Sequence, residues 1–414
     1  MSRNERDKGD GRAPAEARPT LTLDGEDVAI EAGDTLLSVA QRRGVEIPTL
    51  CHDPRLDPAG ACRTCLVEVE GQRRLLPSCA TKALPGMVVT TSNERIARHR
   101  RTLFELYLSD HAAPADGDGA SDELERLARD AGALGGWPKL PSIRAARPND
   151  RNRFIEFVPE LCILCARCTR YCDEVEGVTA ITLAGRGSRT TISTADAISL
   201  LDSTCEMCGG CIDTCPTGAM TEKLPRVAAM RAAAGSSATS AVAAPSVASV
   251  ATGSPSAFSV DGSSASAVVA APRLEKVRTT CNYCGVGCQL DLNVSPTRGD
   301  EPARVVKVTS PPPGTPPNDG NLCVKGRFAY EFIHHADRLR QPLVRAEDGR
   351  LVEASWEEAM LRVARGLAGV KERRGADALA FVSSSRCTME ENYLVQKLAR
   401  AVFETNNVHQ CAAT

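Results

Sequence analysis

The sequence predicts an α+β chain of several small domains, and three observations carry that expectation. All of the 18 cysteines except Cys387 and Cys411 fall into four tight constellations. Between them lie short alternating and helix-like runs, and aromatic residues make up only 4% of the chain, too few for one large core. A stretch made almost wholly of Ala, Ser, Val, Gly, Pro and Thr then cuts the chain in two. At 414 residues the length suggests about three domains. The 50 Lys+Arg nearly cancel the 52 Asp+Glu, so no nucleic-acid groove or anionic membrane surface is implied. No apolar run reaches the roughly 18 residues of a membrane span, so no membrane insertion is expected. The opening "MSRNERDKGDGRAPAEARPT" has neither an apolar signal core nor paired arginines, and reads as a floppy cytoplasmic tail over 1–19. In a chain without a secretion signal, cysteines are metal ligands or catalytic thiols before they are disulfides.

The first domain, 20–92, opens on a hairpin ("LTLDGEDVAIEAG") and a short helix ("DTLLSVAQRRG") and closes on strand-like runs ("CLVEVEG", "MVVTTS"). Between them Cys51, Cys62, Cys65 and Cys79 form C-x10-C-x2-C-x13-C. Soft thiolates in a glycine-containing loop, "DPAGACRTC", let backbone N–H groups approach inorganic sulfide. Zinc is the alternative, but zinc loops seldom use a ten-residue gap. The pattern resembles the β-grasp [2Fe–2S] domain that opens the complex I large iron–sulfur subunit and the soluble NAD-linked formate dehydrogenases.

A helical segment, 93–150, begins with the basic helix "NERIARHRRTLFELYLSDH", whose Arg-rich face is expected to be solvated. In the families just named it leads to a [4Fe–4S] site of spacing H-x3-C-x2-C-x5-C. His111 stands in register, but Ala115, Asp118 and Leu124 occupy the thiolate positions. One imidazole cannot hold a cubane. The cluster is expected to be absent, His111 to be an ordinary surface histidine, and that relay to be missing or bypassed.

The domain 151–226 carries C-x2-C-x2-C-x3-C twice, as Cys162, Cys165, Cys168, Cys172 and as Cys205, Cys208, Cys211, Cys215, with Pro216 closing the second run. This is the bacterial two-cluster ferredoxin pattern, in which each fourth cysteine ligates the other cluster. It predicts one cubane on Cys162, Cys165, Cys168 and Cys215, and a second on Cys205, Cys208, Cys211 and Cys172. Asp173 stands where the pattern has its first proline, a departure shared with formate-dehydrogenase and hydrogenase relatives.

The Ala/Ser-rich linker, 227–272, is expected to be a flexible tether, its forty low-complexity residues spanning about 35 Å as a random coil. The next domain, 273–332, holds Cys281, Cys284, Cys288 and Cys323 as C-x2-C-x3-C-x34-C, with strand-like "CQLDLNV" and "ARVVKVTS" inside the long gap. "TCNYCGVGCQL" and "GNLCVKGRF" closely resemble the amino-terminal [4Fe–4S] domain of molybdopterin oxidoreductases. The resemblance implies that Lys325 sits between cubane and pterin as an electron relay; the alternative is a surface charge.

From 333 to 414 an α/β domain begins. "SWEEAMLRVARGLAGVKERRG" is a helix with Ser355 as N-cap, and "ALAFVSS" a buried strand. A second helix starts with Thr388 and Glu391 in capping-box spacing and shows one apolar stripe of Leu394, Val395, Leu398, Ala399 and Val402. Cys387 and Cys411 read as small buried residues. "SSSRCTMEENYLVQKLARAVFETNNV" resembles molybdenum- or tungsten-dependent formate dehydrogenases and not complex I. There the helix runs into a loop carrying the metal-ligating cysteine or selenocysteine, which would be the residue after Thr414. The sequence therefore raises the expectation that a UGA selenocysteine codon follows; the alternative is an ordinary frameshift or fragment boundary.

The resemblance covers nearly all of 20–414 and implies the amino-terminal part of a formate dehydrogenase catalytic subunit. It implies one [2Fe–2S] and three [4Fe–4S] clusters, with a Mo- or W-bis-molybdopterin guanine dinucleotide in a full-length form only. Flavin/NAD-binding and small iron–sulfur subunits are the implied partners. Without the catalytic ligand, the 414-residue product itself is expected not to oxidise formate. The alternative is an electron-transfer subunit, like the complex I large iron–sulfur subunit, without substrate chemistry.

Overall fold

The computed structural model describes residues 18–111, 122–133, 137–138, 150–223, 274–297 and 302–411. The expected tether, and all but the last two residues of the expected tail, lie outside the described residues. The chain divides into two compact units. One holds the described residues before 149 with 157–198 and 214–220; the other holds 150–156, 199–213 and the described residues from 221 onward.

In the first unit, β1 (Thr20–Leu23) and β2 (Glu26–Ala29) form the expected hairpin. Asp24 and Gly25 close it with φ of 50° and 91°, as a tight two-residue turn requires. The helix α1 (Leu36–Arg42) is capped by Thr35, with Ser38 reciprocating in a capping box. Strands β3 (Leu66–Val69), β4 (Leu76–Pro77) and β5 (Val88–Thr90) complete a sheet of order β2-β1-β5-β3-β4, in which only β1 and β5 run parallel. Leu36, Leu37, Val39 and Ala40 of α1 bury against Leu21, Leu23, Val67 and Val89 of the sheet. That is the β-grasp arrangement, and Cys65 and Cys79 belong to its core.

A second core of the same unit joins Phe104 of α2 (Glu94–Asp110) to Leu124 and Ala128 of α3 (Glu123–Asp130), together with Leu50, Cys51 and Cys62. Two expectations are corrected here. His111 is not a surface histidine: it is 2% exposed, with Nε2 lying 2.8 Å from the Asp122 carboxylate. Nor is the Arg-rich face of α2 wholly solvated. Arg100 turns inward and donates to the carbonyl oxygens of Thr64, Leu66 and Thr91. Of the three positions expected to lack thiolates, Leu124 is wholly buried among hydrocarbon; Ala115 and Asp118 lie outside the described residues.

The doubled-cysteine segment runs through β6 (Ile155–Phe157), α4 (Arg167–Arg170), β7 (Thr182–Ala184), β8 (Thr191–Ser193), α5 (Gly210–Asp213) and β9 (Met220–Glu222). β7 pairs antiparallel with β8.

In the second unit, β10 (Glu275–Thr280), β11 (Gln289–Ser295) and β12 (Arg304–Thr309) form an antiparallel meander, of which sequence reasoning anticipated the last two strands. The short helix α6 (Val324–Phe328) follows Cys323. Leu290, Val308, Leu322 and Tyr330 make the local core, packed against Cys281 and Cys288. Beyond it come the hairpin β13 (Leu343–Arg345)–β14 (Leu351–Glu353) and α7 (Trp356–Arg374), capped by Ser355. Then follow β15 (Phe381–Ser384), α8 (Met389–Lys397) with its Thr388–Glu391 capping box, and β16 (Val408–Cys411), parallel to β15.

The strand β15 is not buried as expected: Val382 is 67% exposed. The apolar stripe is likewise mostly open, with Ala399 buried but Leu394, Leu398 and Val402 exposed. Among the described residues β15 has β16 as its one strand neighbour, and so small a sheet cannot cover its faces. Cys387, expected buried, is exposed.

Candidate metal centres

Cys162, Cys165, Cys168 and Cys215 line one small cavity, walled by apolar side chains that include Ile163, Ile192 and Met220. Two tight loop turns put them there. Leu164 and Ala166 adopt left-handed φ of 56° and 60°, which curls the chain around the first three sulfurs. The Leu164 N–H points at Cys162 Sγ (3.4 Å) and the Met220 N–H at Cys215 Sγ (3.4 Å). Burial, with the neighbouring Cys215 and Cys162 thiols, pushes the Cys165 thiol up to about 12. A neutral thiol in that crowd of sulfurs is the state a cation-rich cluster replaces, because metal ligation takes the thiolate. Four thiols around one apolar-walled cavity offer the donor set of an iron–sulfur cluster.

Cys51, Cys62, Cys65 and Cys79 also meet. Cys65 Sγ and Cys79 Sγ are 3.4 Å apart, and the Cys62 N–H donates to Cys51 Sγ at 3.4 Å. Hydrogen bonds from the Cys62 and Cys79 thiols hold Cys51 far below the ordinary thiol value, and those same bonds push Cys62 and Cys79 up. All four are buried. Thr64 Oγ1 lies 3.1 Å from Cys62 Sγ, and the Tyr107 hydroxyl donates to the Cys62 carbonyl oxygen (3.2 Å). These four thiols fit a small cluster wrapped by one loop and one strand end.

The second cysteine run repeats the first turn for turn. Met207 and Gly209 have φ of 56° and 76°, matching Leu164 and Ala166. The N–H groups of Met207 and Gly210 point at Cys205 Sγ (3.4 Å) and Cys208 Sγ (3.5 Å). Cys205, Cys208 and Cys211 belong to the second unit and Cys172 to the first; Cys172 Sγ accepts from the Ala180 N–H at 3.2 Å.

Around Cys281, Cys284, Cys288 and Cys323 the site is more open, and Cys323 is exposed. Burial raises the Cys281 and Cys288 thiols, and the Cys284 and Cys323 sulfurs push both further up. The Cys281 N–H bonds the Cys288 carbonyl oxygen at 2.7 Å, closing the loop on itself. Lys325 lies on α6, exposed.

Four family descriptions match the chain in succession. A 2Fe-2S iron-sulfur cluster binding domain covers 16–94, and an NADH-quinone oxidoreductase subunit 3 ferredoxin-like domain covers 153–221. A molybdopterin oxidoreductase Fe4S4 domain covers 274–335, and molybdopterin oxidoreductase itself covers 338–414. The first two matches are thus to iron–sulfur domains and the last two to domains of molybdopterin oxidoreductases.

Its relatives include the NADPH-Fe(3+) oxidoreductase subunit alpha of Geobacter sulfurreducens, 33% identical over 94% of this chain and 40% of the relative. YrhE of Bacillus subtilis, a candidate formate dehydrogenase, is 32% identical over 95% of this chain and 39% of its own length. An NADH-quinone oxidoreductase subunit of Rhizobium meliloti is 33% identical over 94% of this chain and 39% of its own length. The chain thus spans about two fifths of the length of the curated relatives it matches. Among the described residues no helix is long and apolar enough to cross a membrane.

Proposed function

We propose that this chain is the iron–sulfur electron-transfer portion of a formate dehydrogenase catalytic subunit. The observation that carries the reading is the gathering of Cys162, Cys165, Cys168 and Cys215 around one cavity, since only the two-cluster ferredoxin pattern brings Cys215 to the first run. On this reading Cys51, Cys62, Cys65 and Cys79 hold a [2Fe–2S] cluster. Cys172, Cys205, Cys208 and Cys211 hold a second cubane, and Cys281, Cys284, Cys288 and Cys323 a third. The clusters would supply one-electron chemistry when bound. The chain's own part is to present thiolates, aim N–H groups at their sulfurs and keep water from the first cavity. Lys325 faces the pterin of a longer form, where a Mo- or W-bis-molybdopterin guanine dinucleotide would oxidise formate to carbon dioxide. Flavin/NAD-binding and small iron–sulfur subunits are the partners, in the cytoplasm. The likeness to YrhE supports formate as the substrate.

The test is purification without oxygen and assay of bound iron and acid-labile sulfide. A brown protein with about 14 irons per chain is expected from the usual cluster stoichiometries. A folded, colourless protein without sulfide overturns the reading. A second reading, a complex I-like electron-transfer subunit without substrate chemistry, is favoured by the 153–221 match and the Rhizobium meliloti relative. The downstream reading frame separates the two: formate-dehydrogenase-like sequence supports the enzyme, and its absence supports the electron carrier.

A further inference from the structure

Arg327 is 1% exposed, although guanidinium groups are rarely buried unless paired. It lies on α6, and its own N–H donates to the Cys323 carbonyl oxygen at 3.0 Å. Its side chain reaches the loop of the second cysteine run. Nε donates to the Cys208 carbonyl oxygen (2.9 Å), Nη1 and Nη2 fork onto the Asp213 carboxylate (3.0 Å for the first), and Nη2 also meets Ser310 Oγ (2.7 Å). Beside it Phe328 stacks on Phe154, ring centroids 4.7 Å apart.

The two cysteine runs show what this arrangement demands. Both place a left-handed residue at the fifth position, Ala166 in one and Gly209 in the other. Since alanine serves in the first run, the backbone angle alone does not require glycine in the second. A Cβ at Gly209, however, would overlap Arg327 Cδ and Nε and press on Phe328 Cζ at 3.2 Å. Gly209 is where the Arg327 side chain passes.

We infer that Arg327 is a positioning residue that seats the Cys205–Cys211 loop on the segment carrying Cys323, and that its buried charge makes the cluster held by that loop easier to reduce. The inference rests on the cluster assignment above. Reduction adds one negative charge to the cluster. A cation bonded to the Cys208 carbonyl favours that state, and net charge and hydrogen bonding around the sulfurs are what set such potentials. Asp213 opposes it. Removing the arginine leaves the half-buried Asp213 carboxylate without its partner, so both changes disfavour reduction. Removing the Asp213 charge leaves the cation uncompensated, with the opposite effect. A residue with a packing role alone would not move the potential in two opposite directions.

The experiment is a potentiometric titration of the anaerobically purified protein followed by electron paramagnetic resonance, reading the [4Fe–4S] signal that Cys208→Ser alters. In Arg327→Met the oxidised-to-reduced ratio at a fixed solution potential should rise about tenfold, near 59 mV for one electron. Arg327→Lys should stay within about threefold of the unaltered protein. Asp213→Asn should lower the ratio by a similar factor, and it decides the matter should Arg327→Met lose iron. If the variants keep their iron and sulfide and the ratio moves less than twofold, or moves the same way in Arg327→Met and Asp213→Asn, the inference is overturned. Absence of iron and sulfide from the unaltered protein would instead overturn the cluster assignment.

Discussion

The carboxylate of Asp122 does two jobs at once: Oδ2 lies 2.8 Å from His111 Nε2, and Oδ1 accepts the Glu125 N–H at 3.0 Å as the N-cap of α3. Both side chains are almost wholly inaccessible. The His111 imidazole thus faces the start of a helix.

Asp122→Ala should therefore cost about 2 kcal/mol, combining a lost N-cap with a buried hydrogen-bonding partner removed from an imidazole. Asp122→Asn keeps the cap and should cost less. Hydrogen exchange of Glu123–Asp130 checks this, since the loss should fall on α3 before the β-grasp sheet. Equal protection of α3 in Asp122→Ala and the unaltered protein would refute it.

The doubled motif assigns Cys172 to the cubane whose other ligands are Cys205, Cys208 and Cys211. Cys172→Ala should damage that cluster and spare the one in the cavity lined by Cys165 and Cys215. Iron analysis with low-temperature spectroscopy distinguishes them. Loss of the cavity cluster would mean that each run keeps its own fourth cysteine.

Glu222, on β9, is 6% exposed, and its Oε2 has no hydrogen-bond partner among the described residues. Burial pushes its carboxyl up to about 7, against the pull of Arg327 and Lys307 and with a smaller push from Asp213. The folded protein therefore keeps a proton that the unfolded chain releases from about pH 4.5 upward. Stability should fall as pH rises from about 4.5 to about 7 and then level off, with a total cost on the order of 3 kcal/mol. Glu222→Gln should flatten that slope and be the more stable form above pH 7. Melting profiles of the two proteins at pH 5.5 and pH 8 test it, and parallel profiles would count against it.

What the sequence made legible was local. C-x2-C loops force neighbouring sulfurs together whatever surrounds them, and Asp24-Gly25 closes a hairpin by its own backbone preferences. The caps at Thr35, Ser355 and Thr388 were equally readable. Illegible were the contacts that depend on distant segments meeting. Nothing in the basic run of α2 separates Arg100 from its solvated neighbours, and His111 finds Asp122 across residues without periodic pattern. Arg327 left one faint trace, the glycine in place of alanine in the second copy of a repeated motif. The uncovered faces of β15 and α8 show the reverse case, in which an apolar stripe was read correctly as a pattern and wrongly as a packed surface.

Arg100 offers the last and most direct test of how the β-grasp domain is held to its helix. Its guanidinium donates to the carbonyl oxygens of Thr64 (3.3 Å), Leu66 (3.1 Å) and Thr91 (3.1 Å), so one side chain ties both flanks of Cys65 and the end of β5 to α2. Burial lowers its pKa while the Cys65 sulfur draws it back up. Arg100→Met removes three donors and leaves three carbonyls half-buried, at about 2–3 kcal/mol. Because two of those carbonyls flank Cys65, the visible absorption of the [2Fe–2S] site should bleach on warming several degrees before that of the cubanes. Arg100→Lys, which keeps the charge but cannot span three acceptors, should recover less than half of the loss. Simultaneous bleaching of all the clusters in both variants would show that α2 is held by its apolar core alone.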